Sequence, residues 1–213
     1  MSAPTPTRLF LLRHGEVETR YHRVFAGGRV DMDLSPRGHE QARALAGWLR
    51  RHPVDAVVCS PMKRVRQTLA PLDGHCAAPL HVMHDLREVD FGEWTGFGWS
   101  ELKDKFGVSA YDWLKHMEAG TIPNGESAAD MRARVGPCVQ EILRTYAGRN
   151  VAVYCHGGIV RLLLSLLLEI PLTKMGAFEI DYASVTQVEL VPEKGHVPEV
   201  RLLNFTPWRD LPE

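Results

Sequence analysis

The chain has 213 residues, of which 45% are hydrophobic and 24% are charged, as is typical of a folded globular protein. Its formal net charge of -1 excludes the strongly basic surface that binding to nucleic acid or to an anionic membrane requires. The longest apolar run, residues 159–170, is interrupted by Arg161 and Glu169 and is too short to cross a bilayer.

The four cysteines form no CxxC pair and show no regular spacing for disulfides. The chain starts with polar and proline-rich residues and lacks the apolar stretch of a signal peptide. We therefore expect a cytoplasmic protein with reduced thiols. We also expect one domain over residues 1–213, with a flexible start at residues 1–6.

The first third of the chain predicts two buried strands, each followed by a helix. Residues 7–12 are an apolar run that ends abruptly at His14. Ser35-Pro36 is an N-cap and first helical position, and the helix after it repeats apolar residues at helical spacing. Residues 54–59 predict the second strand, and Ser60-Pro61 predicts the cap of a short helix that begins near Met62.

The middle of the chain predicts a loop followed by helices. Residues 74–98 lack sustained periodicity, so we interpret them as a functional loop with a short strand at 80–83. Residues 100–117 predict two helical pieces separated by Gly107. Ser127 opens a long helix with a capping-box pattern, and Pro137 should kink it.

The last part predicts a third buried strand over residues 150–155, which ends at His156 and is followed by an apolar helix. Residues 178–180 and 185–191 predict further strands. Strands that alternate with helices indicate an α/β fold with a mainly parallel sheet.

Two of the predicted strands end in a histidine followed by glycine, at His14 and His156. If the strands are neighbours, both histidines face the crevice at the carboxyl edge of the sheet, where ligands bind. Arg13 and Arg64 add permanent cations that can bind phosphate with two nitrogens, and the helix that begins at Gly157 favours an anion at its N-terminus. The pattern therefore predicts a phosphate site without a metal.

Five short blocks of the sequence occur in an order typical of one enzyme family. The blocks are Arg13-His14-Gly15-Glu16, Asp33-Leu34-Ser35-Pro36-Arg37-Gly38, Ser60-Pro61-Met62-Lys63-Arg64, Leu86-Arg87-Glu88-Val89-Asp90-Phe91-Gly92-Glu93-Trp94 and His156-Gly157-Gly158-Ile159-Val160-Arg161. As a set they resemble the histidine phosphatase superfamily, also called the phosphoglycerate mutase-like family. The resemblance covers residues 7–170.

The resemblance implies a three-layer α/β/α sandwich and assigns a role to each matched residue. His14 is expected to be the nucleophile that forms a phosphohistidine. Arg13, Arg64 and His156 are expected to hold the phosphate oxygens, with the amide of Gly157 beside them. Glu88, next to the aromatic residues Phe91 and Trp94, is expected to be the general acid and then the general base. No cofactor is implied.

Two positions depart from the family pattern. Many members have an asparagine near the position of Arg20, so an arginine there is expected to contact the phosphate or the rest of the substrate. The family's Pro-Gly-Gly-Glu-Ser stretch is Pro-Asn-Gly-Glu-Ser at residues 123–127, which places Ser127 as an expected substrate contact.

Several alternatives stay open at this stage. Arg66 competes with Arg64, and Asp90 and Glu93 compete with Glu88, although position within the blocks favours the first choice in each case. Four aromatic residues either line a substrate pocket or pack in the core: Trp94, Phe97, Trp99 and Trp113. One group of side chains resembles a metal cluster but lacks a usual ligand spacing: His75, His81, His84, Asp85 and Glu88.

The resemblance predicts hydrolysis of a small phosphorylated metabolite. Only residues 95–124 separate the acid block from the Gly-Glu-Ser block, whereas related mutases usually carry a longer insertion there. The branch resembles small phosphatases, including the α-ribazole phosphatases. A mutase and a catalytically idle phosphate-binding module are the alternatives, and a homodimer is the expected assembly.

Overall fold

The computed structural model of the chain describes residues 5–73, 76–191 and 198–210. Most of the expected flexible start (residues 1–4) and His75 of the alternative metal cluster lie outside the described residues. Among the helices described, none has the length and apolar character needed to span a bilayer.

One sheet organises the described part of the chain. Its strands are β1 (Thr7–Arg13), β2 (Ala56–Cys59), β3 (Leu80–Val82), β4 (Asn150–Cys155), β5 (Val185–Leu190) and β6 (Pro198–Phe205). They are arranged in the order β3-β2-β4-β1-β5-β6. The first four are parallel to one another, whereas β5 pairs antiparallel with β1 and β6 pairs antiparallel with β5. The predicted mainly parallel sheet is confirmed.

Helices connect the strands and cover the sheet. They are α1 (Pro36–Arg50), α2 (Lys63–Leu69), α3 (Glu101–Phe106), α4 (Trp113–Ala119), α5 (Ala128–Thr145), α6 (Gly157–Leu168) and α7 (Pro207–Asp210). Short 3₁₀ turns lie at Thr19–Tyr21, Ala70–Leu72, His84–Leu86, Gly92–Trp94, Ala110–Asp112 and Leu172–Ala177.

The alternation of side chains along β1 explains the three layers. Leu9 and Leu11 join the core that contains α5 and α6, whereas Phe10 and Leu12 join a second core with α1 and α2 on the opposite face. Successive residues of a strand point to opposite faces of the sheet, so a strand that is apolar at every position must be covered on both sides. The α/β/α sandwich is therefore confirmed.

The predicted ends of three helices agree with the structure. Ser35 caps α1 by accepting a hydrogen bond from the Gly38 amide at 3.0 Å. Gly107 ends α3 with a φ of 70°, which separates the two helical pieces. Ser127 and Asp130 form the predicted capping box of α5, and that helix continues through Pro137.

Two elements near the C-terminus differ from the predictions. Residues 178–180 form no strand, because two of their carbonyls accept hydrogen bonds from arginine side chains. The Phe178 carbonyl accepts from Arg161 at 3.0 Å, and the Ile180 carbonyl accepts from Arg13 at 2.5 Å. The β6 strand was not predicted. It lies at the edge of the sheet with exposed residues in its middle, so its apolar pattern is weak.

Ser60 has a different role from the predicted one. Met62 is the N-cap residue of α2, and no side chain caps this helix. The Ser60 hydroxyl instead lies 2.8 Å from Nε2 of His156 on the neighbouring strand. The Ser-Pro pattern at this position therefore marks the site and does not mark a helix cap.

Candidate active site

The two histidines that follow strands lie side by side. His14 follows β1 and His156 follows β4, and these strands are hydrogen-bonded neighbours whose last residues, Arg13 and Cys155, are in register. The two imidazole rings are 5.3 Å apart between centroids and are 4% and 0% exposed. Parallel pairing of the strands thus brings together two residues that are far apart in the sequence.

Hydrogen bonds determine which nitrogen of His14 is free. Its Nδ1 lies 2.8 Å from the Gly15 carbonyl, which can only accept, so Nδ1 carries the proton. Its Nε2 therefore has a lone pair, and the Nε–H of Arg64 donates to it at 3.2 Å. Burial, with the charges of Arg64 and Arg13, holds the pKa of His14 well below the usual value of 6.5. The ring is therefore neutral at physiological pH, with its Nε2 lone pair facing Arg64.

Arg64 is a buried cation held by the backbone. It is 1% exposed, and its two terminal nitrogens donate to the carbonyls of Val30 and Gly27, each at 3.1 Å. Burial lowers its pKa to about 10, which still leaves the guanidinium charged at neutral pH. The first turn of α2 therefore presents a fixed positive charge to His14.

Ser60 sets the protonation of His156. The Ser60 oxygen accepts from the Met62 amide at 3.4 Å, which directs the hydroxyl hydrogen toward Nε2 of His156 at 2.8 Å. The proton of the neutral ring is then on Nδ1, a buried atom with no hydrogen-bond partner among the described residues. Burial, with the charges around the ring, lowers the pKa of His156 as well.

Three buried side-chain donors in this region lack a protein partner within the described residues: Nδ1 of His156, Nε of Arg13 and Nε of Arg161. The two arginines lie against Gly157: a Cβ added there would lie 3.4 Å from Nε of Arg13 and 3.5 Å from Nη1 of Arg161. Buried polar groups are almost always paired, so convergent unpaired donors indicate a ligand site. The amides at the start of α6 add positive potential, which suits an oxyanion.

Arg13 is held in place by the segment before β5. Its Nη1 donates to the Ile180 carbonyl at 2.5 Å, and its guanidinium lies 4.0 Å from the ring centroid of Tyr182. The Tyr182 ring is also 5.7 Å from the His14 ring. Tyr182 was not singled out from the sequence, because nothing in its local pattern distinguishes it from other loop tyrosines.

Arg161 is a second residue of the site that sequence reasoning left without a role. It follows Gly157 by four residues, so one turn of α6 places it over the N-terminus of the helix. Its Nη1 donates to the Gly157 carbonyl at 3.2 Å, and burial lowers its pKa to about 10. The spacing of four after a His-Gly turn was the available signal.

Glu88 lies on the other side of the start of α6. Its two carboxylate oxygens accept from the amides of Val89, at 3.0 Å, and Gly158, at 3.2 Å. A Cβ at Gly158 would lie only 2.5 Å from a Glu88 oxygen, so glycine leaves the space that the carboxylate occupies. Phe91 shares the cavity with Glu88, whereas Trp94 is 1% exposed and packs in the core, away from the carboxylate.

A cavity of about 530 Å³ opens beside these groups. Its lining consists of Arg13, Tyr21, His22, Arg23, Val24, Phe25, Glu88, Phe91, Trp99, Trp113, Gly157, Gly158, Arg161 and Tyr182. Of the aromatic residues with two readings, Trp99 and Trp113 line the cavity, while Trp94 and Phe97 pack together with Phe106.

The two expected substrate contacts lie elsewhere. Arg20 is exposed, donates to the Glu18 carboxylate at 2.9 Å and lies over Tyr21, so it does not line the cavity. Ser127 is occupied as the cap of α5, where it bonds to Asp130. In this structure local hydrogen bonds engage both side chains and neither lines the cavity, so contact of either with the substrate stays a prediction.

The alternative metal cluster has no counterpart in the part of the chain that the structure describes. No group of three or more His, Cys, Asp or Glu side chains there could hold a metal ion. His81, His84 and Asp85 are exposed, and the carboxylate of Glu88 is bonded to the start of α6.

Comparison with known proteins supplies a family and several relatives. The model of the family described as the histidine phosphatase superfamily (branch 1) matches residues 9–204. A bifunctional protein of Mycobacterium tuberculosis is 34% identical over 203 residues, which are 95% of this chain and 55% of that protein. The chain thus spans about half the length of this relative. Phosphoserine phosphatase 1 of Hydrogenobacter thermophilus is 31% identical over 189 residues, which are 86% of each chain.

Solved structures agree in fold. A mycobacterial glucosyl-3-phosphoglycerate phosphatase superposes with a TM-score of 0.82 and 26% identity, covering 94% of this chain and 99% of that chain. The α-ribazole phosphatase of Shigella flexneri superposes with a TM-score of 0.78 and 27% identity, covering 92% of this chain and 96% of that chain. Phosphoserine phosphatase 1 and the two superposed structures are named as phosphatases of different substrates, so the likeness does not single out the α-ribazole branch.

Proposed function

Because the chain belongs to the histidine phosphatase superfamily, we propose that it hydrolyses small phosphomonoesters through a phosphohistidine formed on His14. One observation carries this proposal: a buried, neutral imidazole nitrogen faces Arg64 beside three buried donors that have no protein partner in the described residues. An imidazole lone pair among fixed cations suits attack on a phosphate dianion and needs no metal.

In the first step, the phosphate binds to Arg13, Arg161 and Nδ1 of His156, which stabilise the charge on its oxygens during transfer. The Nε2 lone pair of His14 attacks phosphorus, and the bond from phosphorus to the alcohol oxygen breaks. Glu88, protonated for this step, gives its proton to that oxygen. The Nε–H of Arg64 donated a hydrogen bond to Nε2 of His14 before the attack, and it now donates to a phosphate oxygen.

In the second step, the Glu88 carboxylate takes a proton from a water molecule that attacks the phosphorus of the phosphohistidine. The bond from phosphorus to Nε2 of His14 breaks, and inorganic phosphate leaves. His14 returns to its neutral form and Glu88 to its protonated form, so the enzyme is ready for the next ester.

Hydrolysis is favoured over phosphoryl transfer between metabolites. The curated relative of similar length and the superposed structures reported above are named phosphatases. Residues 95–124 form the short helices α3 and α4 with one 3₁₀ turn, Ala110–Asp112, between the acid block and α5. A mutase would isomerise 3-phosphoglycerate in the presence of a bisphosphate primer, whereas we expect phosphate release.

Trapping the intermediate tests the nucleophile. Protein quenched during turnover of a ³²P-labelled ester should carry acid-labile label, and His14→Ala should lose both the label and turnover by at least ~10³-fold. His39→Ala, which changes an exposed histidine, should leave both unchanged. Label or turnover retained by His14→Ala would refute the assignment.

Leaving-group dependence tests Glu88. Glu88→Gln should reduce hydrolysis of alkyl phosphates far more than that of p-nitrophenyl phosphate, whose leaving group departs without a proton. Equal losses for both kinds of ester would remove the general-acid role.

Cellular location and assembly are also proposed from the sequence. We place the enzyme in the cytoplasm, which four cysteines present as free thiols support. A homodimer stays a prediction, and sedimentation equilibrium would measure it.

A further inference from the structure

The cavity is much larger than a phosphate group, and its second wall is aromatic. Four rings line that wall and contact one another: Phe25, Phe91, Trp99 and Trp113. Phe25 meets Phe91 edge-on at 4.8 Å and stacks with Trp99 at 5.9 Å, and Phe91 meets Trp113 edge-on at 5.6 Å. A volume of about 530 Å³ is typical of pockets that enclose a whole small molecule.

Backbone hydrogen bonds hold this wall in place. The Phe25 amide donates to the Phe97 carbonyl at 3.0 Å, and the Trp99 amide donates to the Arg23 carbonyl at 2.8 Å. Val24 and Gly98 form a bridge between the same two segments. Phe25 and Trp99 therefore belong to one paired unit, on which Phe91 packs, and Trp113 packs on Phe91 in turn.

The side chains of the lining offer few acceptors to the hydroxyl groups of a sugar or a polyol, although Arg13, Arg23 and Arg161 can donate to them. Among the described residues that line the cavity, none is Ser, Thr, Asn, Gln or Asp. The one carboxylate, Glu88, already accepts two backbone hydrogen bonds, and His22 is bonded to the Val17 carbonyl at 2.9 Å. Hydroxyl groups buried without partners cost binding energy, so a polyhydroxylated substrate would bind weakly.

We propose that the alcohol part of the substrate is a planar, mainly apolar ring system, such as an aryl or heteroaryl group joined to the phosphate ester. This inference rests on the proposed hydrolysis at His14. The phosphate lies at Arg13 and Gly157, and the ring lies against Trp99 and Trp113, where aromatic contacts add to apolar burial.

Two esters of primary alcohols test the proposal, because their leaving groups have similar basicity. We expect kcat/KM for 2-(1-naphthyl)ethyl phosphate to exceed that for glycerol 3-phosphate by at least ~10-fold. Trp113→Ala should raise KM for the naphthyl ester by ~5- to 10-fold and leave kcat/KM for the glycerol ester within about twofold. Tyr146→Ala, which removes an aromatic ring outside the cavity, should change neither.

Equal efficiency toward the two esters, or preference for the glycerol ester, would overturn the aromatic substrate class. A Trp113→Ala loss of the same size for both esters would also overturn it. If neither ester nor p-nitrophenyl phosphate is hydrolysed, the proposed function itself has failed, which is a different result.

A separate observation concerns Arg134, on α5 outside the catalytic cluster. Its side chain is 18% exposed and forms a two-point ion pair with Glu126 through Nε and through Nη2, the latter at 2.8 Å. The same guanidinium donates to the carbonyls of Asp85, Arg87 at 2.9 Å and Glu88 at 3.5 Å.

Glu126 holds the same segment from its other end. Its Oε2 accepts from the Asp90 amide at 3.2 Å, and its own amide donates to the Asp90 carbonyl at 2.8 Å. The backbone on both sides of Glu88 is therefore bonded to one partly buried ion pair. Such a pair costs desolvation energy and is weak evidence for a role in stability alone.

The geometry points to Arg134 as a positioning residue that keeps the Glu88 carboxyl against the amide of Gly158. This rests on the proposed acid-base role of Glu88. An acid displaced by about 1 Å loses much of its effect, and the loss is largest where the leaving group needs a proton.

Arg134→Gln should lower kcat for an alkyl phosphate by ~10- to 100-fold and kcat for p-nitrophenyl phosphate by less than ~3-fold. Arg134→Lys, which keeps the charge but lacks the planar fork, should lie between these values. Arg132→Gln is the matched control, because Arg132 lies on α5 like Arg134 and forms a two-point ion pair with Glu118 of α4, at 3.0 and 2.7 Å. Loss of that pair should change both rates by less than about twofold.

Equal losses of kcat for the two esters, or no greater loss than in Arg132→Gln, would overturn the positioning role. If Arg134→Gln lacks a cooperative melting transition, Glu126→Gln applies the same comparison, because it removes the charge while keeping the volume. Failure of the wild-type protein to hydrolyse either ester would count against the proposed function and not against Arg134.

Discussion

At the scale of single residues, the site depends on two histidines that stay uncharged. Both rings are buried beside arginines, and a second positive charge there would be unfavourable, so the pKa of His14 and that of His156 lie below 6.5. The Nδ1 proton of His14 is held by Gly15, and that of His156 is determined by Ser60. One ring can then attack phosphorus while the other donates to an oxygen.

The lowered pKa values predict how stability changes with pH. In the unfolded chain these histidines bind protons as the pH falls through 6.5, whereas in the folded protein they stay neutral, so acid favours unfolding. Stability should be fully present above that pH and fall by up to ~1.4 kcal/mol per pH unit for each histidine below it. Thermal melting of the wild type and of His156→Gln between pH 7.5 and 5.5 measures this. A variant with the same pH slope as the wild type would contradict the prediction.

At the scale of elements, the junction between β4 and α6 carries most of the site. It supplies His156, the amides at the start of the helix and Arg161 one turn later. The two glycines at this start differ in the space around them. A Cβ at Gly158 would meet Glu88 at 2.5 Å and Val89 at 2.8 Å, while a Cβ at Gly157 would meet nothing closer than 3.4 Å.

Alanine at these two positions should therefore have unequal effects. Gly158→Ala should displace the Glu88 carboxyl and lower kcat for alkyl phosphates by ~10- to 100-fold. Gly157→Ala keeps the amide and leaves Glu88 in place, but its methyl group lies beside Nε of Arg13 and Nη1 of Arg161, so it should raise KM for alkyl phosphates and p-nitrophenyl phosphate alike. Steady-state kinetics with both kinds of ester distinguishes the two effects, and a Gly158→Ala loss of kcat that is equal for both kinds of ester would disprove the assigned packing.

The capping box of α5 yields a prediction about stability. Ser127→Ala removes the two hydrogen bonds that the Ser127 hydroxyl forms with Asp130. It should therefore lower the free energy of unfolding by about 1 kcal/mol and the melting temperature by about 2–4 °C. Because the serine is committed to the helix cap, kcat/KM should stay within about twofold of the wild type. A large rise in KM without loss of stability would restore Ser127 as a substrate contact.

At the scale of the whole molecule, the fold gathers side chains from distant parts of the chain. Arg13, Glu88, Arg161 and Tyr182 line one cavity although they come from different strands, loops and helices. Arginines supply the positive charge of the site, and they stay protonated under ordinary conditions.

Chelation tests this independence from metal in the intact protein. We expect turnover of p-nitrophenyl phosphate to be unchanged after dialysis against EDTA, because arginines and amide dipoles do the work that a divalent cation does in metallophosphatases. If activity is lost and a divalent ion restores it, a metal ion supplies positive charge that we assign to the arginines.

The order of strands and helices through β5 and the family could be predicted from the sequence, and the resemblance to the family implied the sandwich. A buried parallel strand leaves a continuous apolar run, a cap leaves a polar residue before a helix, and His14 and His156 each follow such a strand directly. These signals are local, so they survive in the sequence. The strand predicted at 178–180 was wrong because the carbonyls there bond to arginine side chains from other elements.

Only the tertiary structure could assign Ser60 to His156, place Arg161 and Tyr182 in the site, and connect Arg134 to the segment that carries Glu88. It also placed Arg20 and Ser127 in local hydrogen bonds outside the lining of the cavity. The physical reason is that a side chain's hydrogen-bond partner depends on which strands and loops meet in space. Residue type and spacing along the chain do not by themselves specify which strands and loops lie next to one another.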